Sequence, residues 1–268
     1  MSNVNIRAAG NRSKFYPYDH VEIDRMIETW EGKIDFRHYP ESLMSGKLRI
    51  AIVPHAGYVY SGFTAYKAYK LLQNSQFKRI IVVGPSHHIF INGFSIAEND
   101  FFETPYGNLE IDLEYVEEIQ ANFNVDFQAK AHYVEHSTET QMPFIKRLFP
   151  KIKIAEIIYG RTNADSLFNL FNYILGDNDN CLIISTDLSH FYSQENANLI
   201  DNNCITAFKE RNLKLLMDSC EACGKEGLIA VLKYIIQNDL EVLITDYRTS
   251  AGVTGDFKRV VGYMSAII

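Results

Sequence analysis

A three-layer α/β/α fold, with a mostly parallel sheet held between two layers of helices, is the architecture this sequence predicts. Two observations carry the prediction. Short runs of β-branched and apolar residues alternate with amphipathic stretches along most of the chain. Two of those runs, Ile80-Ile81-Val82-Val83 and Leu182-Ile183-Ile184, are continuously apolar, as strands covered on both faces must be, and so mark the centre of the sheet.

The runs place strands at 48–53, 79–83, 152–158, 181–185, 240–246 and 259–266. Amphipathic stretches at 61–72, 113–123, 142–149, 165–175, 196–209 and 225–236 read as helices, with a further short one at 213–219. Asp177-Asn178-Asp179-Asn180 is polar enough for a joint but short enough for a helix-to-strand turn, and is read as a turn. Between 86 and 112, Gly93, Pro105 and Gly107 punctuate a loop and short-strand excursion, read as a small antiparallel element at the sheet edge. With no Pro/Gly/Ser-rich linker, low-complexity tract or internal repeat, residues 1–268 are expected to form one domain.

Composition excludes several classes. The 26 Lys+Arg and 33 Asp+Glu give a net charge of -7, and the basic residues are scattered, so there is no electrostatic footprint for nucleic acid. No apolar run approaches the roughly 18 residues of a bilayer span, and the polar stretch from Met1 to Tyr16 lacks a signal pattern. A cytoplasmic protein without a membrane partner is expected. Four cysteines at irregular positions are sparse for a disulfide scaffold and fit a reducing compartment, so a special cysteine is expected to be a ligand or reactive thiol rather than one arm of a bridge.

The chemistry gathers at strand ends. Three predicted strands are each followed by a turn and a histidine: Val53-Pro54-His55, Val83-Gly84-Pro85-Ser86-His87-His88, and Ser185-Thr186-Asp187-Leu188-Ser189-His190. Ligands of open α/β sheets bind beyond the carboxyl ends of the strands, so three histidines there can converge although distant in sequence. Any one alone reads more simply as a histidine bonded to a loop carbonyl. Imidazole suits iron, copper or zinc, and two histidines plus one anionic group leave coordination positions open.

Cys223 is the candidate for the third ligand, because it precedes Gly224 and a helical stretch whose N-terminus favours thiolate. It reads equally as an inert buried cysteine, or as part of a Cys220-Glu221-Ala222-Cys223 redox or zinc pair. Asp187 either orients His190 or a metal-bound water, or caps the following helix. In Glu135-His136-Ser137-Thr138-Glu139-Thr140-Gln141-Met142-Pro143, Thr138 and Gln141 fit a capping box. Pro143 fits that helix awkwardly, so a later start would leave His136 and Glu139 in a loop facing the pocket. Tyr58, Tyr60, Phe191 and Tyr192 either line a pocket for a flat ligand or belong to core and surface.

Val53-Pro54-His55-Ala56-Gly57-Tyr58, Gly84-Pro85-Ser86-His87-His88, Glu135-His136-Ser137 with Glu139 and Pro143, Ser185 to His190, and Ala222-Cys223-Gly224 together resemble the Memo family. The closing Thr249-Ser250 to Gly262-Tyr263 segment fits as well. The resemblance implies a fold related to class III extradiol ring-cleaving dioxygenases, whose non-haem iron sits at the carboxyl end of a central sheet. It matches His55, His87 and Cys223 to metal ligands, His190 to the catalytic acid/base and Asp187 to a supporting residue. His88, His136, Glu139 and Tyr58 are then candidates to support the metal ligands or to face the substrate. A thiolate stands where the dioxygenases use glutamate, which shifts metal preference towards copper and alters oxygen activation. The expectation is an iron- or copper-dependent redox enzyme acting on a small-molecule substrate. Two alternatives remain: a non-catalytic module holding a peptide or small ligand in the same cleft, and a zinc hydrolase with His190 as base.

Overall fold

The structure is a computed structural model that describes residues 4–37, 39 and 48–268; residues 1–3, where the polar N-terminal stretch begins, lie outside them. Its strands are β1 (Ile6–Arg7), β2 (Ile50–Val53), β3 (Arg79–Pro85), β4 (Phe94–Ile96), β5 (Phe101–Phe102), β6 (Leu109–Ile111), β7 (Val125–Asp126), β8 (Lys153–Tyr159), β9 (Asn180–Ser185), β10 (His190–Tyr192), β11 (Leu243–Thr249) and β12 (Val260–Ile267). The helices are α1 (His20–Glu31), α2 (Phe63–Leu72), entered through a π-helical turn at Tyr58–Gly62, α3 (Leu113–Asn122), α4 (Ala129–Val134), α5 (His136–Glu139), α6 (Met142–Leu148), α7 (Ala164–Gly176), α8 (Gln194–Lys209), α9 (Leu213–Ser219), α10 (Lys225–Gln237) and α11 (Ala251–Thr254).

The strands form one sheet in the order β1-β5-β6-β8-β3-β9-β2-β12-β10, with β11 beside β12 and with β4 pairing both β7 and β8. The stretch β6-β8-β3-β9-β2 is parallel throughout, and β12 closes it in antiparallel pairing with β2. This mixed, mostly parallel sheet flanked by helices is the expected three-layer arrangement. Ile80 to Val83 and Cys181 to Ser185 are wholly buried at its centre, which is why those runs carry no polar alternation. The excursion at 86–112 supplies β4, β5 and β6, with β5 and β6 antiparallel at the sheet edge as anticipated. Asp177 closes the expected turn by accepting the Asp179 amide.

One expectation is overturned. Cys204 and Cys220 form a disulfide, 16 residues apart in sequence. Packing of α8 against α9 brings their Cα atoms to 4.8 Å, inside disulfide range, and cysteine spacing alone cannot reveal such packing. Cys220 is therefore not paired with Cys223, which is free.

β1 anchors the N-terminal segment to the sheet edge and delivers Arg7 into the interior. Its guanidinium, 4% exposed, pairs with Glu139 at 2.5 Å and with Glu156 of β8 at 3.4 Å, and donates to the carbonyls of His132 and Glu135. Burial pushes the Glu156 carboxyl up, but Arg7 and His132 outweigh it and keep it ionised. Removing one partner of such a cluster leaves an uncompensated buried charge. Arg7→Met is expected to cost roughly 3–5 kcal/mol in urea denaturation. A loss below about 1 kcal/mol would put the cluster in the range of surface ion pairs.

Candidate metal centre

The strands that end in histidine motifs are neighbours. β9 lies between β2 and β3, with Val53 in register with Ser185 and Val83 with Ile184. Their carboxyl ends therefore release His55, His87 and Asp187 at one edge of the sheet. Nitrogens of His55, His87 and His136 lie within 4.8 Å of one another. His136 arrives on α5, which packs onto the end of β3 so closely that a Cβ on Gly84 would sit 2.6 Å from Ser137 Oγ. Glycine is required there.

The histidines are held in defined tautomers. Ser185 Oγ spends its single proton on the carbonyl of Ser137 at 2.5 Å and accepts from Gln141 Nε2 at 2.9 Å. Facing His55 Nδ1 at 3.0 Å, it can only accept, so the His55 proton sits on Nδ1 and Nε2 is directed into the cluster. His87 Nδ1 lies 2.8 Å from Glu135 Oε1, and the same carboxylate accepts the His87 amide at 2.6 Å. Ring nitrogens fixed in this way by oxygen partners are the usual support of metal-binding imidazoles.

Cys223 lies against the histidine group, although its sulfur is not in either converging set. Its Sγ lies 3.3 Å from His55 Nε2, with His87 as a second imidazole neighbour. Asp187 ties the thiol to the histidine: its Oδ1 accepts the His55 amide at 2.8 Å, and its own amide donates to Cys223 Sγ at 3.3 Å. Gly224 lies so close to β9 that a Cβ there would meet Thr186 at 2.8 Å, and its amide donates to Thr186 Oγ1.

Burial alone would raise the Cys223 thiol, but the His55 and His87 imidazoles outweigh it and hold it down at about 5. Burial likewise works against charge on His87, yet Cys223 and Glu135 raise that imidazole to about 10. Glu135, which burial would push up, is held at about 2 by His87 and backbone amides. His136 goes the other way, to about 3, through burial and its charged histidine neighbours. Without metal the site is a thiolate among imidazoliums with one neutral imidazole beside it. Soft thiolate, two presented imidazoles and a spare third are a donor set that fits a first-row transition metal.

The remaining residues singled out in the sequence fall elsewhere. His190 opens β10, half-buried, with its ring against Phe191, which adopts a left-handed backbone at φ 65°. His190 is not among the residues whose ligand atoms converge. Glu139 is fully buried and turned to Arg7, Asn11 and Tyr16. Tyr58 is stacked on Phe144 at 4.4 Å and donates to the Thr140 carbonyl, beneath the site. His88 is exposed beside His87 and His136.

The capping box is replaced: Glu135 caps α5 through the His136 and Ser137 amides, Thr138 donates to Glu156, and Gln141 reaches Pro54 and Ser185. The helix after it starts at Met142, with Pro143 in its first turn, where proline is tolerated. Glu135 and Ser185 were not singled out from sequence. The one signal for Glu135 is its place just before His136.

The family model described as Memo-like protein matches residues 6–267. A MEMO1 family protein of Aquifex aeolicus is 28% identical over 98% of this chain and 99% of its own. Another from Methanobrevibacter smithii is 31% identical over 94% of this chain and 96% of its own. Among solved structures, the uncharacterized protein JW3007 of Escherichia coli K12 matches 82% of this chain and 99% of its own with a TM-score of 0.54 at 12% identity, a likeness of fold alone. The chain belongs to the Memo-like protein family.

Proposed function

We propose that the protein is a metal-dependent redox enzyme that holds iron or copper on His55, His87 and Cys223 and acts on a small-molecule substrate at the remaining coordination positions. One observation carries the reading: both imidazoles have Nδ1 committed to Ser185 and Glu135, while the Cys223 sulfur lies against His55 Nε2. When bound, such a metal supplies electron transfer and oxygen chemistry. The chain's own groups do the rest. Glu135 raises the basicity of His87, Asp187 sets the spacing between His55 and the thiol, and Ser185 occupies His55 Nδ1, so that Nε2 is the nitrogen a metal would take. His190, the first residue of β10, is assigned the proton-transfer role that the family resemblance implies.

His136 favours one second reading. Three nitrogens within 4.8 Å also match a zinc hydrolase. Zinc occupancy together with redox silence would select it.

Protein purified without added metal is expected to carry near-stoichiometric iron or copper by elemental analysis, and His55→Ala and Cys223→Ala to lose it. Glu135→Gln should weaken affinity about 10–100-fold, as loss of an outer partner does. Full occupancy in both alanine variants contradicts the ligand assignment.

The metal-free protein supplies a pH test. Cys181 is buried and its thiol is pushed up, and Cys204 and Cys220 are bridged, so thiolate absorbance in the ultraviolet belongs to Cys223. A thiol held low is thiolate above its midpoint and is protonated as pH falls through it, so the absorbance should vanish around pH 5. Cys223→Ser should lack it at every pH. A midpoint near the ordinary thiol value of 9 contradicts the thiolate–imidazolium pairing.

A further inference from the structure

We propose a second cation position beside the first, held by His88, Glu135 and His136, with its remaining coordination sites open to a cavity against the N-terminal segment, and suited to a divalent ion of the zinc or iron(II) type. Ligand atoms of these three side chains lie within 4.8 Å of one another. Two imidazoles and one carboxylate with open positions form a set that such ions take.

The arrangement around His136 points to a ligand. Its Nδ1 is buried and lies 3.3 Å from Glu135 Oε1, yet makes no hydrogen bond. A buried polar atom left unpaired is destabilising, and a cation that takes its lone pair removes that cost. Phe15 stacks on the ring at 4.3 Å and holds its plane. His88 is exposed, touches the rings of His87 and His136, and has no hydrogen bond to protein among the described residues. It is free to turn a nitrogen inward. Glu135 is common to both positions, since its Oε1 also supports His87 at 2.8 Å.

An entry path is present. A cavity of about 380 Å³ opens beside His88, lined also by Asn11, Lys14, Phe15 and Tyr133. Of the three proposed ligands His88 lines it, so the cavity approaches the position from the His88 side. The position goes beyond the function proposed above, which needs only His55, His87 and Cys223.

The test is zinc titration of the metal-free full chain by calorimetry, with elemental analysis after gel filtration. The wild type is expected to bind two zinc ions per chain, and His88→Ala and Cys223→Ala one each. His88 is on the surface, so its replacement leaves the fold intact. A single wild-type ion that His88→Ala retains, or two ions in His88→Ala, overturns the second position. In the single-ion case, loss in Cys223→Ala but not in His88→Ala leaves the first position standing, and loss in His88→Ala but not in Cys223→Ala overturns the first and leaves the second.

Discussion

Parallel pairing of β2, β9 and β3 fixes the height at which each strand releases its chain. Val53 and Ser185 are partners in register, so the residues two positions beyond them, His55 and Asp187, emerge level and bond to each other at 2.8 Å. Shift that register by one residue and the apolar residues of a fully buried strand exchange faces, a change the core cannot accept. The same packing that stabilises the sheet therefore sets the spacing of the site. Crowding at Gly84 and Gly224 shows how tightly α5 and the Cys223 loop are drawn against those strand ends.

Behind the site lies a layer of buried charge. Arg7, Glu139 and Glu156 are nearly or wholly inaccessible, and His132 lies 3.2 Å from Glu156. Desolvating such groups is costly; it is offset at Glu139 by Arg7, Asn11 and Tyr16, and at Glu156 by Arg7 and Thr138. Its effect on the site is indirect. Arg7 and Asn11 both donate to the Glu135 carbonyl, while the Glu135 side chain holds His87. The N-terminal segment thus steadies an imidazole 80 residues later in the chain.

Much of the fold was legible because buried strands cannot hide their composition: Ile80 to Val83 and Leu182 to Ile184 announce the centre of the sheet, and turn residues after them announce its ligand edge. Helix α1 has an equally local signature, with Asp19 capping the Val21 amide and Ile23, Ile27 and Trp30 buried on one face. The site was readable only in part. His55 and His87 follow strands, so topology places them. His136 and Glu135 reach the cluster through the packing of a four-residue helix, and the Cys204–Cys220 bridge through the packing of two helices, neither of which has a local sequence signature. Thr138 and Gln141 match a capping pattern but serve long-range bonds instead, because buried polar groups on β8, on β9 and just after β2 compete for them.

The central claim is that a metal sits between His55, His87 and Cys223. A crystal structure of protein purified without added metal, with anomalous scattering recorded across the iron, copper and zinc edges, tests it most directly. The account predicts an iron or copper peak about 2.0–2.3 Å from two imidazole Nε2 atoms and the Cys223 sulfur. Imidazoles and thiol closing on one another with no anomalous peak between them would contradict it.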